Sequence, residues 1–236
     1  MDLQIKISKF VIKIEYRYGY IPYICKDYLA PEGSTPDFCV SVTDAQIEAQ
    51  RKLLNYEFSE AICEGTAVQE AILDELAMRG IIFIHSAVIE YENKGYSFLA
   101  PSGVGKSTHC KQWLEVFGDK AKVLNGDKPF YGFKDGKFFV FGSPWRGKES
   151  WGYNGEAEVQ GLCFIERGET NEIRKATEQE VISRLFSQIC LPKDPAVLAS
   201  FMPIMNKIVT SVPCYILKCN ISPEAALVAY EGMKKE

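Results

Sequence analysis

Apolar positions in residues 3–42 either alternate with polar ones or form short blocks, at 3–7, 10–18, 23–25 and 38–42, separated by Gly, Pro and Asp breaks. That rhythm predicts a β-rich opening with little catalytic polarity. Residues 44–54 carry a polar helical pattern. Thr66-Ala67-Val68-Gln69 has the form of a capping box. Val68, Ala71, Ile72 and Leu76 come after it at helical spacing as far as Gly80, so a helix is expected to open at Thr66. Residues 81–89 form an apolar run broken only by His85-Ser86, which reads as one strand. The chain then passes through Asn93-Lys94-Gly95 into a second strand over 95–99, most simply as a hairpin.

That second strand runs directly into a loop motif. Ala100-Pro101-Ser102-Gly103-Val104-Gly105-Lys106-Ser107 matches a phosphate-binding loop at every defining position except the first, where Ala replaces Gly. After it, Cys110, Trp113, Leu114 and Phe117 recur at helical spacing until Gly118. A strand therefore feeds a glycine turn that opens a helix. Gly103 and Gly105 let successive N–H groups turn inward toward phosphate oxygens, and the helix N-terminus adds roughly half a positive charge there. In such a loop Ser102, Gly103, Val104, Gly105 and Thr108 contact the nucleotide. Lys106 reaches the β- and γ-phosphates, and Ser107 offers its hydroxyl to Mg²⁺.

Beyond the loop helix, residues 122–127 read as a strand ending in Asn125-Gly126-Asp127. One helix and one return strand separate Lys106 from Asp127, so the acid is expected at the loop's end of a sheet. There it would hold Mg²⁺ or deprotonate an acceptor hydroxyl; the competing reading is a turn-forming Asp before Lys128-Pro129. Asp135-Gly136 turns a hairpin into 138–141. Residues 142–148 then form a glycine-bounded basic loop, with Arg146 and Lys148 able to meet phosphate and Trp145 able to stack on a base or simply to pack. Strands are expected at 159–166, 171–175 and 212–219. Helices are expected after the Thr177-to-Glu180 capping box and over 223–233. His85 reads as a core histidine or as a catalytic one, and His109 as structural or exposed.

Composition narrows the classes. The 236 residues are 47% hydrophobic, ample for a packed core, and 27 basic against 31 acidic residues give a net charge of −4. Without a basic run, nucleic acid is an unexpected partner. No segment has the pattern of a signal peptide or membrane span, so a cytoplasmic protein is expected. Eight scattered cysteines without Cys-x-x-Cys, and only two histidines, read as buried free thiols rather than a zinc site. No Leu-Ser-Gly-Gly-Gln run marks an ABC ATPase. Asn206-Lys207 is followed by Ile208-Val209, so the GTPase Asn-Lys-x-Asp is missing.

His85, the loop from Ala100 to Ser107 and Asn125-Gly126-Asp127 together resemble the catalytic domain of bacterial HPr kinase/phosphorylase, and more closely the shorter HPr-kinase-related proteins. The resemblance covers residues 80–150. It implies a mixed α/β (α+β) chain with a phosphoenolpyruvate-carboxykinase-like P-loop fold, strand-rich mixed sheets and flanking helices. It also implies an ATP- and Mg²⁺-dependent kinase with Lys106, Asp127 and His85 as catalytic residues, Ser107 and Asp127 as metal ligands, and Arg146 among the nucleotide contacts. The acceptor would be a hydroxyl of a peptide, a protein or a small alcohol. Two departures stand out: Gly126 occupies the place of a second acid, and Trp145-Arg146-Gly147 is a partial counterpart of a Glu-x-Arg-Gly segment. A nucleotide-binding regulatory or assembly module with little ATPase activity is the alternative. The expected organisation is a β-rich region over 1–65 packed on a kinase-like domain over 66–236, with homo-oligomerisation left open.

Overall fold

The computed structural model describes residues 1–192 and 194–234, and the chain divides into two compact units, Met1–Arg79 and Gly80–Glu236. In the first, β1 (Asp2–Ile7) and β2 (Phe10–Glu15) pair antiparallel, and β3 (Phe38–Val40) adds parallel to β2. Ile5, Ile7, Ile12 and Ile14 recur at the strand period of two and are buried together. At the end of β2 the buried Glu64 carboxylate accepts the N–H groups of Arg17 and Tyr18, at 2.7 and 3.1 Å. Those donors would otherwise be orphaned where the ladder stops.

Residues 23–25, expected as a strand, lie in α1 (Tyr20–Cys25). A run that short carries no period able to separate strand from helix. The helix α2 (Asp44–Leu53) opens on a capping box between Thr43 and Gln46, and α3 (Glu60–Ala77) opens on Ser59, whose side chain accepts from the Ile62 N–H. The expected start at Thr66 is thus corrected. Thr66 lies inside α3 and its hydroxyl donates back to the Ile62 carbonyl at 3.2 Å, as a Ser or Thr within a helix commonly does. The whole of α3 belongs to the first unit.

The second unit is built on a nine-stranded mixed sheet. Its elements in chain order are β4 (Ile81–Phe83), β5 (Ala87–Tyr91), β6 (Lys94–Leu99), α4 (Lys106–Phe117), β7 (Ala121–Asn125), β8 (Phe130–Lys134), β9 (Lys137–Phe141), β10 (Glu156–Arg167), β11 (Glu172–Lys175), α5 (Glu178–Phe186), α6 (Pro195–Ser211), β12 (Cys214–Cys219) and α7 (Glu224–Met233). The sheet runs β4-β8-β9-β10-β6-β5-β7, with β12 beside the second half of β10 and β11 beyond it. The β5–β6 hairpin turns on Glu92-Asn93 and the β8–β9 hairpin on Asp135-Gly136, all four residues at positive φ. Two central residues in that conformation match the right-handed twist of the strands they join.

The apolar run 81–89 is two strands. β4 pairs with β8, while β5 pairs with β6 and β7, so Ile84-His85-Ser86 carries the chain from one part of the sheet to another. Helix α6 goes beyond what the sequence pattern predicts. Its two prolines, Pro195 and Pro203, interrupt the periodicity, although Asp194 followed by Pro195 is a good helix start and Asp194 accepts from the Ala196 N–H at 2.7 Å.

On one face of the sheet α4 packs beside α7 around Trp113, which is fully buried. Its ring lies 4.8 Å from Tyr96 and 4.9 Å from Phe117, within a cluster that includes Tyr91, Phe98 and Tyr230. Such pairs add about 0.5–1.5 kcal/mol each beyond burial, and here they fix the helix that the glycine loop opens. All eight cysteines are free thiols and six are buried, Cys214 and Cys219 among them. Among the described residues no helix is long and apolar enough to cross a membrane.

Candidate active site

Strand direction assembles the site. β5 is antiparallel to both β6 and β7, so β6 and β7 end at the same edge at which β5 begins. The segment 100–105 comes directly after β6, Asp127 lies just past β7, and His85 precedes β5. Three stretches remote in sequence therefore converge at one end of three adjacent strands.

The loop has the local geometry its glycines require. Gly103 has φ +80° and Gly105 φ +137°, and a Cβ added at either would touch nothing. The constraint at these positions is backbone conformation, not space. Lys106 is the first residue of α4, is 8% exposed, and its Nζ donates to the Ala100 carbonyl at 2.8 Å. Burial pulls its pKa below the usual lysine value, while the Asp127 charge acts in the opposite direction. Ser107 and Thr108 lie on the first turn of α4, half-buried, and Ser102 is exposed in the loop.

His85 Nε2 lies 3.0 Å from Asp127 Oδ1, and the two segments are tied again by the Ser86 N–H, which donates to the Asp127 carbonyl at 3.1 Å. The His85 N–H donates to the Gln188 carbonyl at 2.7 Å. Burial pushes the Asp127 carboxyl up, but the hydrogen bond and charge of His85, with Lys128 and Lys106, outweigh it and leave the acid below its ordinary value. Asp127 is thus an ionised carboxylate with a histidine on one oxygen. The Asn125 side chain shapes the turn that presents it, its Oδ1 accepting the Asp127 and Lys128 N–H groups at 2.9 and 2.7 Å. Asn125 closes this turn in an Asx arrangement.

Residues 142–155 fold across this turn. The Gly126 N–H donates to the Trp151 carbonyl at 3.0 Å, and a Cβ at Gly126 would lie 3.2 Å from the Arg146 carbonyl oxygen. A second acid at position 126 would therefore meet backbone. Gly147, at φ +75°, packs so closely that a Cβ there would stand 2.7 Å from the Asp127 Cβ. Arg146 is thus beside the acid through its backbone, with its side chain against Gly152. Trp145 packs: it is buried and meets Phe130 edge-on at 6.4 Å. Lys148 is exposed.

Three residues that sequence reasoning passed over line a cavity of about 570 Å³ on the β10 and β12 side of the loop. β10 and β12 run parallel to β6, so their C-terminal residues Arg167 and Cys219 lie at the loop's edge of the sheet. Arg167 donates to the carbonyls of Gly103 and Val104, at 2.6 and 3.3 Å. Gln112 and Asn220 complete the set, together with Thr108 and Ile165. The signal in the sequence was faint: Thr108 and Gln112 are four apart on one helix, and Asn220 comes after an apolar strand without any motif.

His109, on the same helix, is buried and has a defined tautomer. The Trp113 indole N–H donates to its Nε2 at 3.0 Å, so Nε2 accepts, and Nδ1–H donates to Gln112 Oε1 at 3.1 Å. Burial pulls its pKa down to about 4. Because the folded value lies below the unfolded one near 6.5, only the unfolded chain takes up the proton between the two, and stability is lost as pH falls from about 6.5 to about 4. The full loss is about 3 kcal/mol. Denaturant midpoints measured across that range should fall with acidification, and His109→Gln should flatten the dependence; a slope unchanged in that variant would place the titration elsewhere.

No family model matches the chain, and no curated protein matches its sequence. Among solved structures, the HPr(Ser) kinase/phosphatase from Coxiella burnetii aligns with a TM-score of 0.37 and 9% identity, over 62% of this chain and 91% of that one. A likeness at that level is too distant to define the architecture.

Proposed function

We propose that this protein is an ATP-dependent kinase that transfers the γ-phosphoryl group to a hydroxyl, of a serine in a peptide or protein or of a small alcohol, on a variant of the phosphoenolpyruvate-carboxykinase-like P-loop fold. The observation that carries this reading is the hydrogen-bonded His85–Asp127 pair, at 3.0 Å, standing at the same edge of the sheet as a glycine loop that opens a helix on Lys106. Phosphoryl transfer asks a protein mainly for positioning and charge neutralisation, and this arrangement supplies both. The loop amides, helix N-terminus and Lys106 bind phosphate oxygens. Asp127, beside His85, either accepts the proton of the attacking hydroxyl or holds Mg²⁺, the two roles between which the Mg²⁺ dependence of Asp127→Asn decides.

Ser107 and Asp127 are the residues that would hold Mg²⁺. Among the described residues no cluster of three or more His, Cys, Asp or Glu could form an all-protein metal cage. A hydroxyl plus one carboxylate is the donor set that suits Mg²⁺, which keeps several waters and shares substrate phosphates. Bound there, the ion would neutralise charge on the phosphates. Arg146 enters this reading through its loop, which packs on the acid-bearing turn.

A second reading, a nucleotide-binding regulatory or assembly module, is favoured by Gly126, whose tight cover leaves one acid where the resembled kinase/phosphorylases carry two. Labelled ATP offered with peptides, free serine and sugars separates the two. A kinase yields a phosphoester and ADP in equal amounts, with slower ADP formation when no acceptor is added. ADP production that no acceptor raises above its basal rate favours the module.

A further inference from the structure

A chain of buried hydroxyls connects with the segment that carries His85. Ser86, Ser97 and Tyr131 are all fully buried. The Tyr131 hydroxyl donates to Ser97 Oγ at 3.0 Å and shares a 2.7 Å hydrogen bond with Ser86 Oγ, which also reaches the Ile84 carbonyl at 3.0 Å. Ser86 adjoins His85, and its N–H donates to the Asp127 carbonyl. Ser97 lies on β6, the strand that runs into the phosphate loop, and Tyr131 lies on β8. One phenol therefore touches both the segment that carries the histidine and the strand that leads to the loop.

The sheet order gives this contact its weight. β9 and β10 separate β8 from β6, so no ladder joins them, and in a flat sheet strands three places apart would stand about 14 Å from each other. A hydrogen bond between their side chains requires the sheet to curl, with Tyr131 reaching across the concave face. The segment Ile84-His85-Ser86 lies between β4 and β5 and belongs to no ladder. Its hydrogen bonds are single ones: the His85 N–H to the Gln188 carbonyl, the Ser86 N–H to the Asp127 carbonyl, the His85 ring to Asp127, and the Ser86 hydroxyl to Tyr131. Buried hydroxyls add little net stability over apolar groups of the same shape, whereas a bonded chain of them rigidifies a core and specifies one arrangement. Burial pushes the Tyr131 phenol well above the ordinary tyrosine range, so it remains a neutral hydroxyl.

We propose that Tyr131 is a positioning residue, holding the His85–Asp127 pair in register with the phosphate loop by bridging Ser86 to Ser97 across the curled sheet. This rests on the kinase reading above and adds to it a residue outside the reacting set. Phosphoryl transfer needs the acceptor side and the phosphate side fixed against each other, and a displacement of about 1 Å can cost about 10²-fold in rate.

Tyr131→Phe tests it, because the ring stacked on Phe138 at 5.5 Å is kept and only the bridging oxygen is lost. With Mg²⁺, ATP and free serine, kcat for ADP release should fall by about 10- to 10²-fold while KM for ATP stays within about twofold. In a His85→Ala background the same substitution should cost almost nothing more, since its effect runs through the histidine. The sequence has two histidines, so the His85 ring can be followed by nuclear magnetic resonance. Its signal should shift or broaden in Tyr131→Phe, while that of His109, bonded to Gln112 and Trp113, stays in place. An unchanged kcat, a loss of the same size in the His85→Ala background, or an ATP affinity that falls as far as the rate overturns the inference, makes Tyr131 a core residue only, and leaves the kinase reading standing. A wild-type protein that releases no ADP from ATP removes the kinase reading, and the His85 signal alone then decides whether Tyr131 holds the pair.

Discussion

Lys106→Ala is expected to abolish nucleotide turnover and to weaken nucleotide affinity by about tenfold or more, with the fold retained. The lysine sits at the start of α4, almost wholly buried, and its Nζ makes a hydrogen bond to the Ala100 carbonyl within the loop. A cation held there, out of bulk water, interacts with a phosphate charge about 4 Å away by about 4 kcal/mol at an effective dielectric of about 20, several times its value in water. Removing it takes charge from the phosphates while leaving the Trp113 cluster that anchors the helix untouched. Calorimetry reads the affinity and thermal melting reads the fold. Unchanged ATP affinity and turnover in a folded variant would remove the phosphate-loop reading altogether.

Asp127→Asn should preserve most nucleotide binding and lower phosphoryl transfer by at least about 10²-fold, the usual cost of losing a general base. The substitution is isosteric. Asn retains an oxygen for His85 and leaves the Asn125 turn intact, so the change falls on charge and basicity. His85→Ala should then depress transfer more than binding, because the histidine touches the acid. A concurrent shift in the Mg²⁺ dependence of Asp127→Asn would assign the acid to the metal. Wild-type transfer rates in Asp127→Asn would reduce Asp127 to a turn residue.

Much of this site is legible along the chain because its chemistry is local. A glycine loop between a strand and a helix is a contiguous motif, and Gly103 and Gly105 declare the backbone conformation they serve. The Asp135-Gly136 hairpin and the Thr177-to-Glu180 capping box are also short-range signals, and both are present. The mixed α/β character comes from the periods of the individual segments. Where a segment is short or its capping signal is duplicated, local reading errs. Residues 23–25 are helical, and the apparent helix start at Thr66 lies inside a helix that Ser59 had already opened.

Partnerships across the sheet have no such local signature. That His85 leaves its strand and meets Asp127 depends on β4 and β5 pairing with different neighbours, a matter of long-range register. The tight cover over Gly126 comes from residues 142–155 folding over it, and the packing of Trp145 against Phe130 depends on where β8 lies. Gln112, Arg167 and Asn220 come together because β10 and β12 run parallel to β6 and end at its loop. Hydrophobic pattern specifies which face of each element is buried. It leaves open which element covers that face, because burial is non-directional and many neighbours satisfy it equally well; the choice among them is made by the packing of the whole sheet.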